Sequence, residues 1–189
     1  TADGTKKGAE NCAPGADASK DANACGEGSK KIKSEYNAAM NLYNLYIIAA
    51  DMQNENTGDH TFDFNQYFQG EYAQDAKLFA WALDAEDFYE KGPSYAGQSE
   101  TYSIAQPLLD DFFDAIDERV NGGSTVATFR FAHAETMMPF AALLGLPGST
   151  QQAPASTTDV YTYDNNEWRG ESVTPMATNV QWDVYAKQG

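Results

Sequence analysis

The sequence predicts an α/β fold with helices first and strands last. Three observations lead there. Before residue 122, apolar side chains recur at spacings of three and four. At Thr125 the pattern changes to a short β-branched and aromatic run. After a Pro/Ser/Thr/Gln loop at 147–158, two more short runs have strand composition.

Each element follows from its residues. Residues 1–30 lack apolar periodicity and are rich in Gly, Ala, Asp, Asn, Lys and Ser, so they read as an arm. Tyr36, Ala39, Met40, Tyr43, Tyr46 and Ile47 form an amphipathic stripe, read as core, and Thr57-Gly58-Asp59 ends it. Phe62, Phe64, Tyr67 and Phe68 cluster in a short loop or helix. A second helix is expected from Gln74 to Tyr89, with Leu78, Trp81, Ala82, Ala85 and Phe88 on one face and Gly92-Pro93 as its stop. A third is expected from Ser103 to Val120, burying Leu108, Leu109, Phe112, Phe113 and Ile116, and ended by Asn121-Gly122-Gly123.

Thr125 to Ala132 has no clean polar face, which fits a strand buried on both sides. A helix from Thr136 to Leu144 follows, closed by Gly145, with Pro139 in its first turn. Val160–Tyr163 and Asn179–Tyr185 read as two strands around a turn at Asp164–Glu167. The regions are therefore 1–30, a mainly helical 31–122, and an α/β part at 123–189. One buried central strand needs neighbours on both edges, so a partner from outside the chain is expected for Thr125–Ala132.

Composition narrows the function. With 42% hydrophobic and 13% aromatic residues, a sizeable core is available and global disorder is excluded. The longest apolar run, Phe140 to Leu146, is far below the ~20 residues of a membrane span. No basic-then-apolar leader opens the sequence, so a cytosolic or already processed chain is expected. The net charge of −16 repels phosphate backbones and argues against a nucleic-acid partner. Cys12 and Cys25 lie close together in the arm. A disulfide closing a small loop is the preferred reading, two free thiols the alternative; the disulfide implies an oxidising compartment, hence a secreted or cell-surface protein. With His60 and His133 the only histidines, a metal site lacks ligands.

The segment Phe129-Arg130-Phe131-Ala132-His133-Ala134-Glu135-Thr136 carries the chemistry. It places a His and a Glu between a strand end and a helix N-terminus, where α/β sheets bind ligands and free N–H groups favour anions. Zinc deaminases also use His-x-Glu, but they need a downstream Pro-Cys-x-x-Cys, and no Cys follows residue 25. The bland alternative is a core histidine beside an acid that the helix dipole favours.

The wider run, Phe129 to Leu146, resembles the second motif of the multiple inositol polyphosphate phosphatases, a phytase branch of the histidine acid phosphatases with His-Ala-Glu in place of the usual His-Asp. Phe88-Tyr89-Glu90-Lys91-Gly92-Pro93 is similar to the Tyr-Tyr-x-Lys-Gly-x-Gly of that family's helical domain, with Pro93-Ser94 replacing the usual glycine pairing. Ser103–Asp117 resembles the long helix before the motif strand, and Trp168-Arg169-Gly170 through Tyr185 resembles the closing strands. The resemblance implies a histidine-phosphatase-like α/β sandwich with a helical cap, of which 31–122 is cap and 123–189 belongs to the phosphatase domain.

The family's nucleophile, the His of Arg-His-Gly-x-Arg-x-Pro, has no counterpart here: none of Arg119, Arg130 and Arg169 precedes a His. The resemblance thus covers the family's C-terminal half. It implies that an N-terminal fragment supplies the nucleophile and that this chain alone is inactive. It further implies phosphoryl transfer through a phosphohistidine, with inositol hexakisphosphate and lower inositol phosphates as substrates and no metal or cofactor. Glu135 would donate the proton to the leaving oxygen and His133 would hold the transferring phosphoryl group. Thr136, by amide or hydroxyl, and Lys91 would bind neighbouring phosphates; for Lys91 a solvated lysine after a helix is the alternative. Arg130 points away from His133 and reads as a buried ion-pair partner, Asn179 as a turn residue and His60 as a surface residue. A non-catalytic module keeping this fold is the competing function, and a companion fragment carrying Arg-His-Gly in the purified material would decide against it.

Overall fold

The computed structural model describes residues 34–58 and 61–185. The arm with Cys12 and Cys25, and His60, lie outside them. Six α-helices are described: α1 (Glu35–Ile47), α2 (Ala73–Glu90), α3 (Glu100–Ser103), α4 (Gln106–Val120), α5 (Ala134–Leu144) and α6 (Gly170–Val173). Two compact units meet at Phe79 and Ala80, inside α2.

In the first unit, Ser34 caps α1 by accepting from the Asn37 amide at 3.0 Å. Met40 and Tyr43 are buried, as the stripe predicts, while Tyr36, at the same helical spacing, is exposed. Tyr43 packs edge-on to Phe68 at 5.4 Å and stacks with Phe79 at 5.7 Å. The second aromatic group, Phe62, Phe64 and Tyr67, closes on itself at 4.7 and 5.7 Å.

The second unit is built on Phe88, Met138, Ala153, Tyr161 and Trp168. Phe88 is fully buried; it stacks on Tyr161 at 4.3 Å and meets Trp168 edge-on at 5.6 Å. Gln152 pins the loop after α2, with its Nε2 donating to the carbonyls of Pro93, Tyr95 and Gln98 at 2.9, 2.8 and 2.6 Å.

Several expectations change. The single helix expected from Ser103 to Val120 begins earlier and breaks into α3 and α4. Pro107 lacks the N–H that an unbroken helix would need there, so it sits in the first turn of α4 instead. The expected buried stripe of α4 is only half-covered, and Phe113 is exposed. Helix α5 starts at Ala134 rather than Thr136, which puts Pro139 in its second turn.

Among the described residues no strand forms; a single parallel bridge joins Tyr95 and Ala153. The segment expected as a doubly buried strand is unpaired, and Val126, Phe129 and Phe131 are 88%, 79% and 95% exposed. The pair expected at Val160–Tyr163 and Asn179–Tyr185 is likewise unformed. A strand is stabilised by ladder bonds and cross-strand contacts, and these segments have no ladder partner among the described residues. In the first of the pair, Tyr161 goes into the core. The second leans on α4, with Trp182 against Phe112 and Phe113 at 5.4 and 5.3 Å.

Candidate active site

His133 is the N-cap of α5. Its backbone is extended (φ −94°, ψ 171°), and its carbonyl accepts from the amides of Thr136 and Met137 at 3.0 and 3.2 Å. Its side chain takes no part in capping and is exposed, so the imidazole is free to meet a ligand. Glu135 lies in the first turn, where the helix dipole favours an anion. Pro139 has no N–H to offer the Glu135 carbonyl four residues earlier, which loosens the ladder at this turn. The Thr136 amide already donates to His133, so what Thr136 offers a ligand is its exposed hydroxyl; the amides of Ala134 and Glu135 stand at the helix opening.

Helix α5 is held from two sides. Phe140 stacks on Phe112 of α4 at 5.7 Å. Met138 enters the core with Phe88 and Trp168. Arg130 ties the extended segment before His133 to α4: its guanidinium pairs with the Asp111 carboxylate, donates to the Asp111 carbonyl at 3.1 Å and lies 4.4 Å over the Phe112 ring. The ion pair read from the sequence is therefore present, with Arg130 the more covered partner. Asn179 donates to the Ala177 carbonyl at 3.3 Å, satisfying a turn as expected.

Lys91 follows the C-terminus of α2. Its ammonium donates to Asp87 Oδ1 at 2.7 Å and lies 3.9 Å from Glu90 Oε2. The hydrogen bond that Lys91 donates to Asp87 holds its pKa above its ordinary value, and the charges of Asp87, Glu90 and Glu135 push the same way against partial burial.

Sequence reasoning missed a second polar cluster behind α5. Asp84 Oδ2 accepts from the Tyr163 hydroxyl at 2.6 Å and Oδ1 from the Gly170 amide at 3.1 Å. Burial raises the Asp84 pKa despite these bonds, and burial together with the Asp84 carboxylate raises that of Tyr163. The Arg169 guanidinium covers the Tyr163 ring at 3.7 Å. The available signal was Asp84 itself, placed between Trp81, Ala85 and Phe88 in an apolar helical stripe.

The sequence profile of the histidine phosphatase superfamily (branch 2) matches residues 16–188. The chain belongs to the histidine phosphatase superfamily. Three crystal structures of the Bifidobacterium longum multiple inositol polyphosphate phosphatase are similar to it. The apo form is 88% identical with a TM-score of 0.78, covering 95% of this chain and 35% of that one. The complex with phosphate is 87% identical with a TM-score of 0.80, covering 100% and 37%. The complex with inositol hexasulfate is 89% identical with a TM-score of 0.77, covering 93% and 35%. This histidine phosphatase chain therefore spans little more than a third of those proteins. No curated protein matches it.

Proposed function

We propose that this chain is the C-terminal part of a phosphatase that hydrolyses phosphomonoesters of inositol polyphosphates. The observation that carries the reading is the exposed His133 imidazole, which takes no part in capping, at the opening of α5 with Glu135 in the first turn. Near-identity to an enzyme crystallised with phosphate and with inositol hexasulfate supports the substrate class.

A histidine from an N-terminal segment attacks phosphorus, and the bond from phosphorus to the inositol oxygen breaks. Glu135 gives that oxygen its proton, because an alkoxide leaves poorly. Water then attacks the phosphohistidine, Glu135 takes back a proton, and inorganic phosphate departs. His133 donates to a non-bridging oxygen and offsets charge on the transferring group. The Thr136 hydroxyl and Lys91 bind neighbouring phosphates. In this reading the exposed 125–132 segment is the central strand of an α/β sandwich, and strands from the N-terminal part pair with its edges. Cys12–Cys25 pairing and secretion belong to the same reading; the mass after alkylation without reduction tests the disulfide.

The experiment is Glu135→Gln in the full-length enzyme. Turnover of inositol hexakisphosphate falls by ~10²-fold or more, the scale of general acid catalysis. A nitrophenyl phosphate, whose leaving group needs little protonation, loses much less. Equal losses on both substrates remove the proton-donor role. A full-length wild type that hydrolyses neither substrate leaves a non-catalytic module.

A further inference from the structure

The His-Ala-Glu opening lies within residues 131–139, and the residues flanking this stretch are both held on one ring. In front of it, the Arg130 guanidinium lies 4.4 Å over Phe112. Behind it, Phe140 stacks on Phe112 at 5.7 Å, with the two planes 17° apart. The Arg130 grip is fixed in angle as well as in distance. Its Nε pairs with the Asp111 carboxylate and its Nη2 donates to the Asp111 carbonyl at 3.1 Å, so one planar fork holds both the side chain and the backbone of the residue before Phe112. Trp182 packs on the same ring at 5.4 Å. Phe140 is buried and the Arg130 side chain is 21% exposed, so neither clamp is a loose surface contact.

We propose that Arg130 is a positioning residue, which through Asp111 and Phe112 sets where His133 and Glu135 stand relative to α4. The inference rests on the phosphatase reading above and deepens it. The guanidinium is spent on Asp111 and Phe112, so it acts through them and not on phosphate. In the complete sheet, neighbouring strands hold the backbone of 125–132, and the Arg130 clamp sets the end of that segment against α4. Without this clamp, α5 is pinned only from behind, by Phe140 and Met138, and the end that carries the proton donor is released. Glu135 must meet the leaving oxygen at hydrogen-bond distance, so a small shift of the helix opening is felt most in the step that needs its proton.

The test uses the full-length enzyme with inositol hexasulfate as a non-reacting binding probe, and with inositol hexakisphosphate and nitrophenyl phosphate as substrates. Arg130→Met lowers kcat on the hexakisphosphate about tenfold, short of the ~10²-fold that a misplacement of ~1 Å costs. Nitrophenyl phosphate, which needs little protonation, loses much less, and Kd for the hexasulfate stays as in the wild type. A merely structural role lowers the folded fraction and slows both substrates alike. In a Glu135→Gln background the difference between the substrates disappears, because the proton is already gone. Arg130→Lys keeps the charge without the fork and the flat face, and it retains most of the selective loss. If Arg130→Met fails to fold, Arg130→Lys carries the same comparison. Three results overturn the inference: equal losses on both substrates, a selective loss that survives in Glu135→Gln, or wild-type turnover in Arg130→Lys. If the wild type neither binds the hexasulfate nor hydrolyses the hexakisphosphate, the phosphatase reading falls and the inference falls with it. If the wild type does both and Arg130→Met changes nothing, the inference falls alone.

Discussion

Gly92 can be probed with one methyl group. A Cβ at this position meets the Phe88 carbonyl oxygen at 2.9 Å, the Phe88 Cα at 3.0 Å and the Trp168 ring at 3.2 Å. None of these can swing away. Two are backbone at the end of α2, and the third belongs to an indole that is 1% exposed. The same turn is closed by the amides of Lys91 and Gly92 donating to the Asp87 carbonyl, each at 2.8 Å. Gly92→Ala therefore forces the helix end or Trp168 to move. Overpacking of this kind costs about 1–3 kcal/mol, offset by roughly 0.4–1 kcal/mol from the stiffer unfolded chain. The expected net loss is about 1–2 kcal/mol, read from urea unfolding of the full-length protein. The tryptophan signal in near-ultraviolet circular dichroism should change as well. Gly97→Ala is the control: its φ is +84°, but no atom lies within 4 Å of the added carbon. It should cost about 1–2 kcal/mol through backbone strain alone and leave the tryptophan signal intact. A Gly92→Ala protein as stable as the parent would refute the packing of Trp168 on the end of α2.

Two further expectations concern the cluster behind α5. Asp84→Ala leaves the Tyr163 hydroxyl and the Gly170 amide without their acceptor and should cost about 2–3 kcal/mol in urea unfolding; Asp84→Asn should cost clearly less, since the tyrosine hydroxyl can turn to accept. Burial raises the Asp84 pKa, so the folded state holds this proton more tightly than the unfolded one. The contribution is complete below the unfolded value of ~3.9 and fades as pH rises through the folded one; Asp84→Asn should abolish that part of the stability–pH curve. At the alkaline end, burial pushes Tyr161 up to about 12, so its contribution holds below pH ~10 and disappears towards 12. The tyrosinate ultraviolet difference spectrum should show a late wave that coincides with unfolding, and a single early wave for all tyrosines would contradict the burial of Tyr161.

Much of this architecture is legible in the sequence where physics is local. The stripe from Trp81 to Phe88 gives α2 within a residue at each end, and Gly92-Pro93 stops it as expected. His-Ala-Glu before an apolar run gives the opening of α5, with His133 as its N-cap and Glu135 in its first turn. Where the outcome depends on a distant partner, the sequence is silent or misleading. Val126, Phe129 and Phe131 encode burial, but apolarity cannot say which chain segment provides it. Pro107 should have broken the predicted third helix, because a missing N–H outweighs periodicity. Asp87 and Lys91 stand one turn apart and could be paired on sight.

On the phosphatase reading, the net charge of −16 has to be reconciled with a polyanionic substrate. Screening confines exposed charges to about 8 Å at physiological salt, so the total of −16 matters less than what surrounds Glu135. The arginines do not help there, for each is committed to the chain's own framework. Arg119 donates to the Gly123 carbonyl at 2.7 Å, Arg130 pairs with Asp111, and Arg169 donates to the carbonyls of Asn166, Trp168 and Tyr163 at 2.8, 2.6 and 3.0 Å. Their planar forks fix loops, a use that their geometry suits better than that of lysine. Lys91 is already shared between two carboxylates, donating to Asp87 at 2.7 Å and lying 3.9 Å from Glu90. One such ammonium cannot hold a substrate of many phosphates. On the phosphatase reading, the chain supplies the proton donor, and the strong cationic grip comes from the segment that brings the nucleophile.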